Sequence, residues 1–209
     1  MFKKLLLVSG IFAFAFAILS ISILQTTSIS YTFTARPSGS SVLGEETQEI
    51  DYQMPYEGKV LPDSPLWILK AARDRVWYLI TSSPLRRAEL ALLFSDKRLV
   101  SAKILFERKK PDIAISTLTK GEKYLEIAIT EEIKARSQGL DTSAFLSKLA
   151  TASLKHRQML DGLMYLVPED GKPLVIKMEN YSIHSFSAAR EALYSKGLPV
   201  PISPFDGVN

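Results

Sequence analysis

The sequence predicts an all-α protein with one N-terminal transmembrane helix, a flexible tether and an antiparallel bundle of about five helices. Three observations predict this fold: an uncharged apolar run near the start, a following stretch without a lasting apolar period, and helical apolar spacing in the remainder. The predicted parts are an anchor over 1–25, a tether over 26–60, a helical domain over 61–197 and a Pro-rich tail over 198–209.

The anchor is predicted from the twenty uncharged residues Leu5 to Leu24. At ~1.5 Å per residue, such a helix spans a hydrocarbon core of roughly 30 Å. Lys3 and Lys4 favour a cytoplasmic N-terminus, so the rest of the chain is expected to be extracytoplasmic, as a single-pass protein. A cleaved signal peptide is the alternative, and it would leave a secreted domain. The best late cleavage site, after Ala35, has the bulky Phe33 where a small residue is needed.

The region after the anchor and the lack of cysteine limit the classes of protein to which the chain can belong. Residues 26–60 are predicted to be a spacer, although Ile50, Tyr52, Met54 and Tyr56 alternate and could pack as an extended segment. The chain has no cysteine, which excludes disulfides, thiolate catalysis and Cys-ligated metal sites.

The first helix is predicted over 65–81, after the capping pair Ser64-Pro65. It carries Leu66, Leu69, Val76 and Ile80 on one apolar face. The aromatic residues Trp67, Trp77 and Tyr78 are expected to pack against the second helix, with a docking surface or a membrane interface as alternatives. Arg73 lies four residues before Trp77, a spacing that allows a cation–π contact.

Four further helices are predicted over 84–109, 112–137, 142–167 and 174–196. In the second, Leu85, Leu92, Leu99 and Phe106 recur every seven residues, which is typical of antiparallel or coiled-coil packing. Gly139 is expected to end the third helix and Asp141 to cap the fourth. The short connections predict that neighbouring helices are antiparallel.

The opening of the domain resembles a known bacterial family. The stretch Leu61-Pro62-Asp63-Ser64-Pro65-Leu66-Trp67-Ile68-Leu69-Lys70 is similar to a Leu-Pro-x-Ser-Pro-Leu-Tyr-x-x-Lys pattern that begins the family named domain of unknown function fifty-six sixty-seven. The resemblance covers about residues 60–108 and departs from the pattern at Trp67. It implies an N-terminally anchored or secreted helical domain, and it transfers no catalytic residue.

Basic charge is concentrated in one part of the chain. Residues 61–110 hold 11 Lys and Arg and only five Asp and Glu, whereas the regions on either side are each close to neutral. This excess suggests an interaction surface for an acidic envelope protein or an anionic polymer; a solvated helix surface is the alternative. The candidate interaction residues are Arg73, Arg86, Arg87, Lys97 and Arg98. No nucleic-acid partner is predicted, because basic and aromatic residues are not interleaved.

The remaining polar residues predict no catalytic or metal site. His156 lies in the apolar stripe of the fourth helix and is expected to be buried and hydrogen-bonded, while His184 on the fifth helix could approach it. Zinc would need a further ligand, so no metal and no cofactor are predicted. Two sets of neighbouring acidic residues are expected to face solvent, namely Glu122 with Glu126 and Glu131 with Glu132. Glu132 is expected to form an exposed ion pair with Arg136.

The predicted function is therefore an interaction module and not an enzyme. A membrane-anchored extracytoplasmic helical module would bind another envelope component through its basic first helix pair. One alternative is an extracytoplasmic sensor or regulatory domain that acts with a membrane partner, for which Gly10, Ala13 and Ala17 offer small residues for helix contact. Another is a hydrolase of wall or protein substrates whose site forms only on folding.

Overall fold

A computed structural model describes residues 49–206, and this part of the chain is all-helical, with five α-helices and no strand. The helices are α1 (Trp67–Ile80), α2 (Pro84–Glu107), α3 (Pro111–Ser137), α4 (Ser143–Leu163) and α5 (Lys172–Ser195). The predicted helical bundle is thus confirmed for these residues. The predicted anchor Leu5–Leu24 lies outside them. Within residues 49–206, no helix has the length and apolar character needed to span a membrane.

Several helix ends follow the capping signals of the sequence, but the predicted Ser64-Pro65 cap does not form, because the N-cap position of α1 is Leu66, which makes no side-chain cap hydrogen bond. Ser83 caps α2 by accepting a hydrogen bond from the backbone N–H of Arg86, and Pro84 occupies the first turn. Gly139 has φ +80° just after α3, a left-handed conformation that glycine adopts without steric cost. The N-cap position of α4 is Thr142, which makes no side-chain cap hydrogen bond, while Asp141, the residue before it, accepts from the backbone N–H of Ser143. The largest difference from the predicted ends is at α4, which ends four residues earlier; α1 begins two residues later, α2 ends two residues earlier and α5 begins two residues earlier.

The bundle consists of two antiparallel helix pairs. The pair of α2 and α3 is aligned by the Arg87–Glu131 ion pair near one end and by a hydrogen bond from Ser95 Oγ to the Gly121 carbonyl near the middle. In the same way, Arg157 and Glu179 join α4 to α5. Contacts between α3 and α5 hold the two pairs together. The heptad residues Leu92, Leu99 and Phe106 are buried, as their spacing predicts.

The apolar core forms two clusters along the bundle. One contains the first half of α2 with the second half of α3 and the first half of α4, and it includes Leu92, Leu125 and Leu149. The other lies toward the opposite ends of these helices and includes Leu99, Leu118 and Leu160. Buried polar residues lie between the two clusters on α2, α3, α4 and α5, among them Asp96, Glu122, His156 and Ser182, so a buried polar layer crosses the bundle.

Extended segments at both ends of the described chain pack on the bundle. Ile50 is buried in the first cluster, and Tyr52 and Met54 are half-buried against the first and second clusters, whereas Tyr56 is exposed. The last residues of the predicted tether therefore pack on the helices, as their alternation allows. The Pro-rich tail packs as well, with Phe205 beneath the guanidinium of Arg157.

The apolar face predicted for the first helix points away from the bundle. The apolar side of a surface helix ordinarily packs on the core, yet all four residues of that face are exposed. The inward face of α1 instead carries Trp67, Lys70, Ala71, Asp74, Trp77 and Tyr78, spaced three, four and seven residues apart. Trp77 packs as expected, since it meets the ring of Phe94 on α2 edge-on at 6.3 Å, and Tyr78 packs against the first core cluster.

Candidate functional site

The buried polar layer is built around one histidine and two carboxylates from three helices. His156 on α4 lies 2.9 Å through Nε2 from Oδ1 of Asp96 on α2. Through Nδ1 it lies 2.8 Å from Oε1 of Glu122 on α3. All three residues are buried, and the hydroxyl of Tyr52 donates to Oδ2 of Asp96 at 2.6 Å. One imidazole therefore connects three helices, and the N-terminal segment joins them through Tyr52.

The electrostatics of the layer favour a charged histidine. Burial alone lowers the pKa of His156, but attraction to Glu122 and hydrogen bonds to both carboxylates outweigh burial and raise this pKa to about 10. An imidazolium can donate from both ring nitrogens, which matches two carboxylate acceptors. Burial and the neighbouring Asp96 carboxylate raise the pKa of the Tyr52 hydroxyl, so this group stays a donor.

A glycine allows α2 and α3 to approach closely beside the layer. A Cβ atom at Gly121 would lie 3.1 Å from Cβ of Arg98 and 3.4 Å from the carbonyl oxygen of Ser95. Glu122 follows directly in sequence and Asp96 directly follows Ser95. The close approach therefore places both carboxylates within reach of a single imidazole.

The sequence predicts part of this layer. His156 is buried and hydrogen-bonded as expected, and because both of its ring nitrogens contact carboxylates, it does not pair with the exposed His184. The expectation that Glu122 faces solvent is wrong. Each of the two acids lies four residues after one buried leucine and three residues before another. For Asp96 these are Leu92 and Leu99, and for Glu122 they are Leu118 and Leu125. Spacings of three and four residues place a side chain on the same helix face, so the sequence already indicated that Asp96 and Glu122 share the buried face.

Two further carboxylates are also buried against expectation. Glu132 forms the predicted pair with Arg136 at 3.1 Å, but its side chain is fully buried and also accepts from Thr142 Oγ1 at 2.6 Å. Glu131 is buried between Arg87, at 2.8 Å, and Lys134, at 2.7 Å. Both acids link α3 to its neighbours, because the antiparallel partner and the α3–α4 connection cover positions that an isolated helix would expose.

Beneath α1 lies a second group of charged side chains. Lys70 donates to the backbone carbonyls of Glu57 at 2.6 Å and Val60 at 3.1 Å. Burial lowers its pKa to about 8, and attraction to Asp74 opposes this shift. Asp74 is buried and lies 2.7 Å from Nη2 of Arg73. These contacts join α1 to the segment that precedes it, and the buried Asp74 also lies near the charges of Lys97 and Arg98 on α2.

The five candidate interaction residues lie in different environments. Arg86 has a side chain that is 74% exposed and pairs with Glu89, and Arg87 binds the buried Glu131. Lys97 is half-buried, and burial lowers its pKa. Arg98 is only 7% exposed, with its guanidinium 4.4 Å from the ring centroid of Tyr124. Arg73, Lys97 and Arg98 all lie near Asp74 under α1, whereas Arg86 and Arg87 lie at the start of α2.

The outward side of α1 forms a continuous apolar surface, which we name the α1 outer face. Its six large apolar side chains are between 39% and 73% exposed; they are Leu66, Ile68, Leu69, Val76, Leu79 and Ile80. Beside the start of α1, an open pocket of about 350 Å³ is lined by residues of α1 and α3 that include Trp67, Ile113 and Lys120. Contiguous apolar surface of this kind commonly marks an interaction site.

Other features of residues 49–206 suggest no metal or enclosed site. No group of three or more His, Asp or Glu side chains in this range is arranged to hold a metal ion. An open pocket of about 450 Å³ brings Glu49 near Asp161, whose pKa is raised by burial and by Glu179. Glu49 itself is 88% exposed and lies 3.7 Å from Lys155. The buried layer binds helices to each other, so the α1 outer face is the stronger candidate for binding a partner.

Comparison with known proteins places the chain in a family. A family model described as "Domain of unknown function (DUF5667)" matches residues 59–170, a longer stretch than the resemblance over 60–108. This stretch contains α1, α2, α3 and α4, and with them Asp96, Glu122 and His156. No curated protein and no solved structure matches the chain. Since the family model covers more than half of its length, the protein belongs to the DUF5667 family.

Proposed function

We propose that this protein is a membrane-anchored, extracytoplasmic helical module that binds another envelope component through the surface of α1 and the start of α2. In this proposal, Leu5–Leu24 supplies a single membrane span with the N-terminus in the cytoplasm. Removal of that segment as a signal peptide would leave the same domain secreted. The module has no catalytic role in the proposal.

The α1 outer face is the observation that carries the proposal. An exposed apolar stripe on a helix whose opposite side faces the bundle leaves apolar area in water, at a cost of about 25 cal/mol per Å². A partner that covers the stripe would recover that free energy. The same region holds the basic excess of residues 61–110, so an acidic or anionic partner fits it best.

The structure suggests different roles for the candidate basic residues within this proposal. Arg86 is available to a partner, and so is Arg75, which is exposed on α1. Arg87 and Arg98 instead hold the surface in place, because one neutralises Glu131 and the other stacks on Tyr124. Neutralising the first two should weaken partner binding, whereas replacing the last two should weaken the fold.

Site-specific crosslinking in cells tests the proposal. A photo-crosslinking amino acid would replace Leu69 on α1 or, as a matched control, Ile176 on α5, which is also exposed. We expect a defined adduct, with protein or with lipid, from position 69 and none from position 176. Arg75→Gln with Arg86→Gln should reduce the adduct, whereas Lys177→Gln on α5 should not. Equal adducts from both positions, or none from either, would overturn the proposal.

A further inference from the structure

The α1 outer face has no occupant within residues 49–206, and α1 is not free to turn it inward. Such a turn would break the Lys70 hydrogen bonds to Glu57 and Val60 and would expose the buried Asp74. It would also separate Trp77 from Phe94. The occupant therefore has to come from outside the bundle.

We propose that the α1 outer face lies in the headgroup region of an anionic lipid bilayer, so that α1 is an interfacial helix. This inference rests on the proposed function, in which the chain is anchored in the same membrane. Helices of this class bury an apolar side at the boundary between headgroups and acyl chains, and they carry basic residues beside it. Both properties are present on α1 and α2.

Charge favours anionic lipid over a second copy of the chain. Arg75 is the one charged residue among the exposed positions of α1, and the face has no acidic side chain. Of the five acidic residues in 61–110, Asp74 and Asp96 are buried, and Asp63 is shielded by Lys110 at 2.8 Å and Arg108 at 3.3 Å. Glu89 pairs with Arg86 at 2.6 Å, and Glu107 is exposed at the opposite end of α2 from Arg86. Two copies placed face to face would bring cationic surfaces together, whereas anionic headgroups attract them at about 1 kcal/mol per basic residue.

The length of the chain keeps the domain close to the membrane. Only 24 residues separate Leu24 from Glu49, where the described structure begins. At most ~3.6 Å per residue, this stretch cannot exceed about 85 Å. A domain tethered within that distance meets its own bilayer at a high effective concentration, which makes a weak surface contact sufficient.

The absence of cysteine allows a unique label at any chosen position. Ile68→Cys would place an environment-sensitive fluorophore on the α1 outer face, and Ile176→Cys would place it on an exposed position of α5 as the matched control. The full chain is reconstituted into vesicles of neutral phosphatidylcholine, with or without about one third phosphatidylglycerol. Quenching by nitroxide-labelled lipid then measures contact with the bilayer.

We expect lipid quenching at position 68 to exceed that at position 176 by about threefold or more in the anionic vesicles, with much less in neutral vesicles. Equal quenching at the two positions would overturn the inference. If quenching at position 68 is equally strong in neutral and in anionic vesicles, the inferred preference for anionic lipid would be overturned.

Other occupants and a failed anchor give distinct results. A disulfide that joins two chains of the unlabelled Ile68→Cys variant, without lipid quenching of the labelled one, would identify a second copy as the occupant and overturn the lipid assignment. Protection of position 68 only when an acidic protein is added would do the same. Loss of the full chain from the vesicles in alkaline carbonate would contradict the anchor of the proposed function; retention without quenching at position 68 would contradict the interfacial helix alone.

Discussion

His156 and Asp96 lie 2.9 Å apart, and this contact joins α4 to α2 across the middle of the bundle. With Glu122 on the other ring nitrogen, it forms an ionic layer between two apolar clusters. A buried ion pair adds little net stability, because desolvation offsets much of the attraction between its charges. Its geometric demands nevertheless fix the register of three helices, since a slip by one turn would place each charge against leucine.

Replacing the histidine should strongly destabilise the fold. His156→Gln leaves Asp96 and Glu122 without their cation in a buried layer, and breaking such a pair typically costs about 3–5 kcal/mol. Urea unfolding of the full chain measures the free energy of unfolding. His184→Gln is the matched control, because His184 is exposed, and it should change stability by less than about 0.5 kcal/mol. Equal stabilities of the two variants would show that the layer carries no such charge.

The same histidine should make stability fall as the pH rises above neutrality. Its pKa is raised from 6.5 to about 10, so between these values the folded state holds a proton that the unfolded state has lost. The contribution is complete below pH 6.5 and is lost as the pH passes 10. At most about 1.4 kcal/mol should disappear per pH unit.

Comparison with His156→Gln isolates this contribution. The pKa of Lys70 is lowered to about 8, which has the opposite effect at higher pH, so unfolding is best compared between about pH 7 and about pH 8. Over this range the wild-type chain should lose stability relative to the variant. An unchanged difference between the two would contradict a charged His156.

Tyr52→Phe should loosen the N-terminal segment. The variant keeps the ring in place but removes the donor to Asp96 Oδ2, and a hydrogen bond to a charged group contributes about 2 kcal/mol. Hydrogen exchange of residues 49–56 should accelerate, and the free energy of unfolding should fall. Tyr56→Phe is the matched control, since Tyr56 is 59% exposed. If both variants exchange equally fast, the Tyr52 contact does not hold the segment.

Gly121→Ala should destabilise the bundle although alanine favours helices. The new Cβ would lie 3.1 Å from Cβ of Arg98, an atom fixed to its backbone, so α2 and α3 must separate. We expect a net loss of about 1 kcal/mol, because overpacking exceeds the gain in helix propensity. Gly162→Ala on α4 meets no atom within 4 Å and should stabilise the chain by about 0.5 kcal/mol. Thermal unfolding of the two variants tests this difference. If both substitutions stabilise the chain, α2 and α3 do not approach closely at Gly121.

Local chemistry explains why the helices could be predicted. Ser83-Pro84, Gly139 and Asp141 act on the backbone within a few residues, so their effect does not depend on the rest of the fold. The burial of the seven-residue apolar repeat of α2 could be predicted for a similar reason, because any partner helix must cover the same apolar stripe. The position of Asp96 within that stripe was visible too, but its partners Tyr52 and His156 lie 44 and 60 residues away along the chain.

The sequence by itself determined the helical class, the order and approximate ends of the five helices, the burial of His156 and the concentration of basic charge in residues 61–110. Only the tertiary structure decided that Asp96 and Glu122 meet His156, that Glu131 and Glu132 are buried, and that α1 turns its apolar face outward. The physical reason is that capping and periodicity are local, whereas the burial of a charge depends on which side chains distant segments bring to it. For α1, Asp74 is buried near the charges of Lys97 and Arg98 on α2, and Lys70 binds the carbonyl of Glu57 in the preceding segment, so the apolar side was left facing outward.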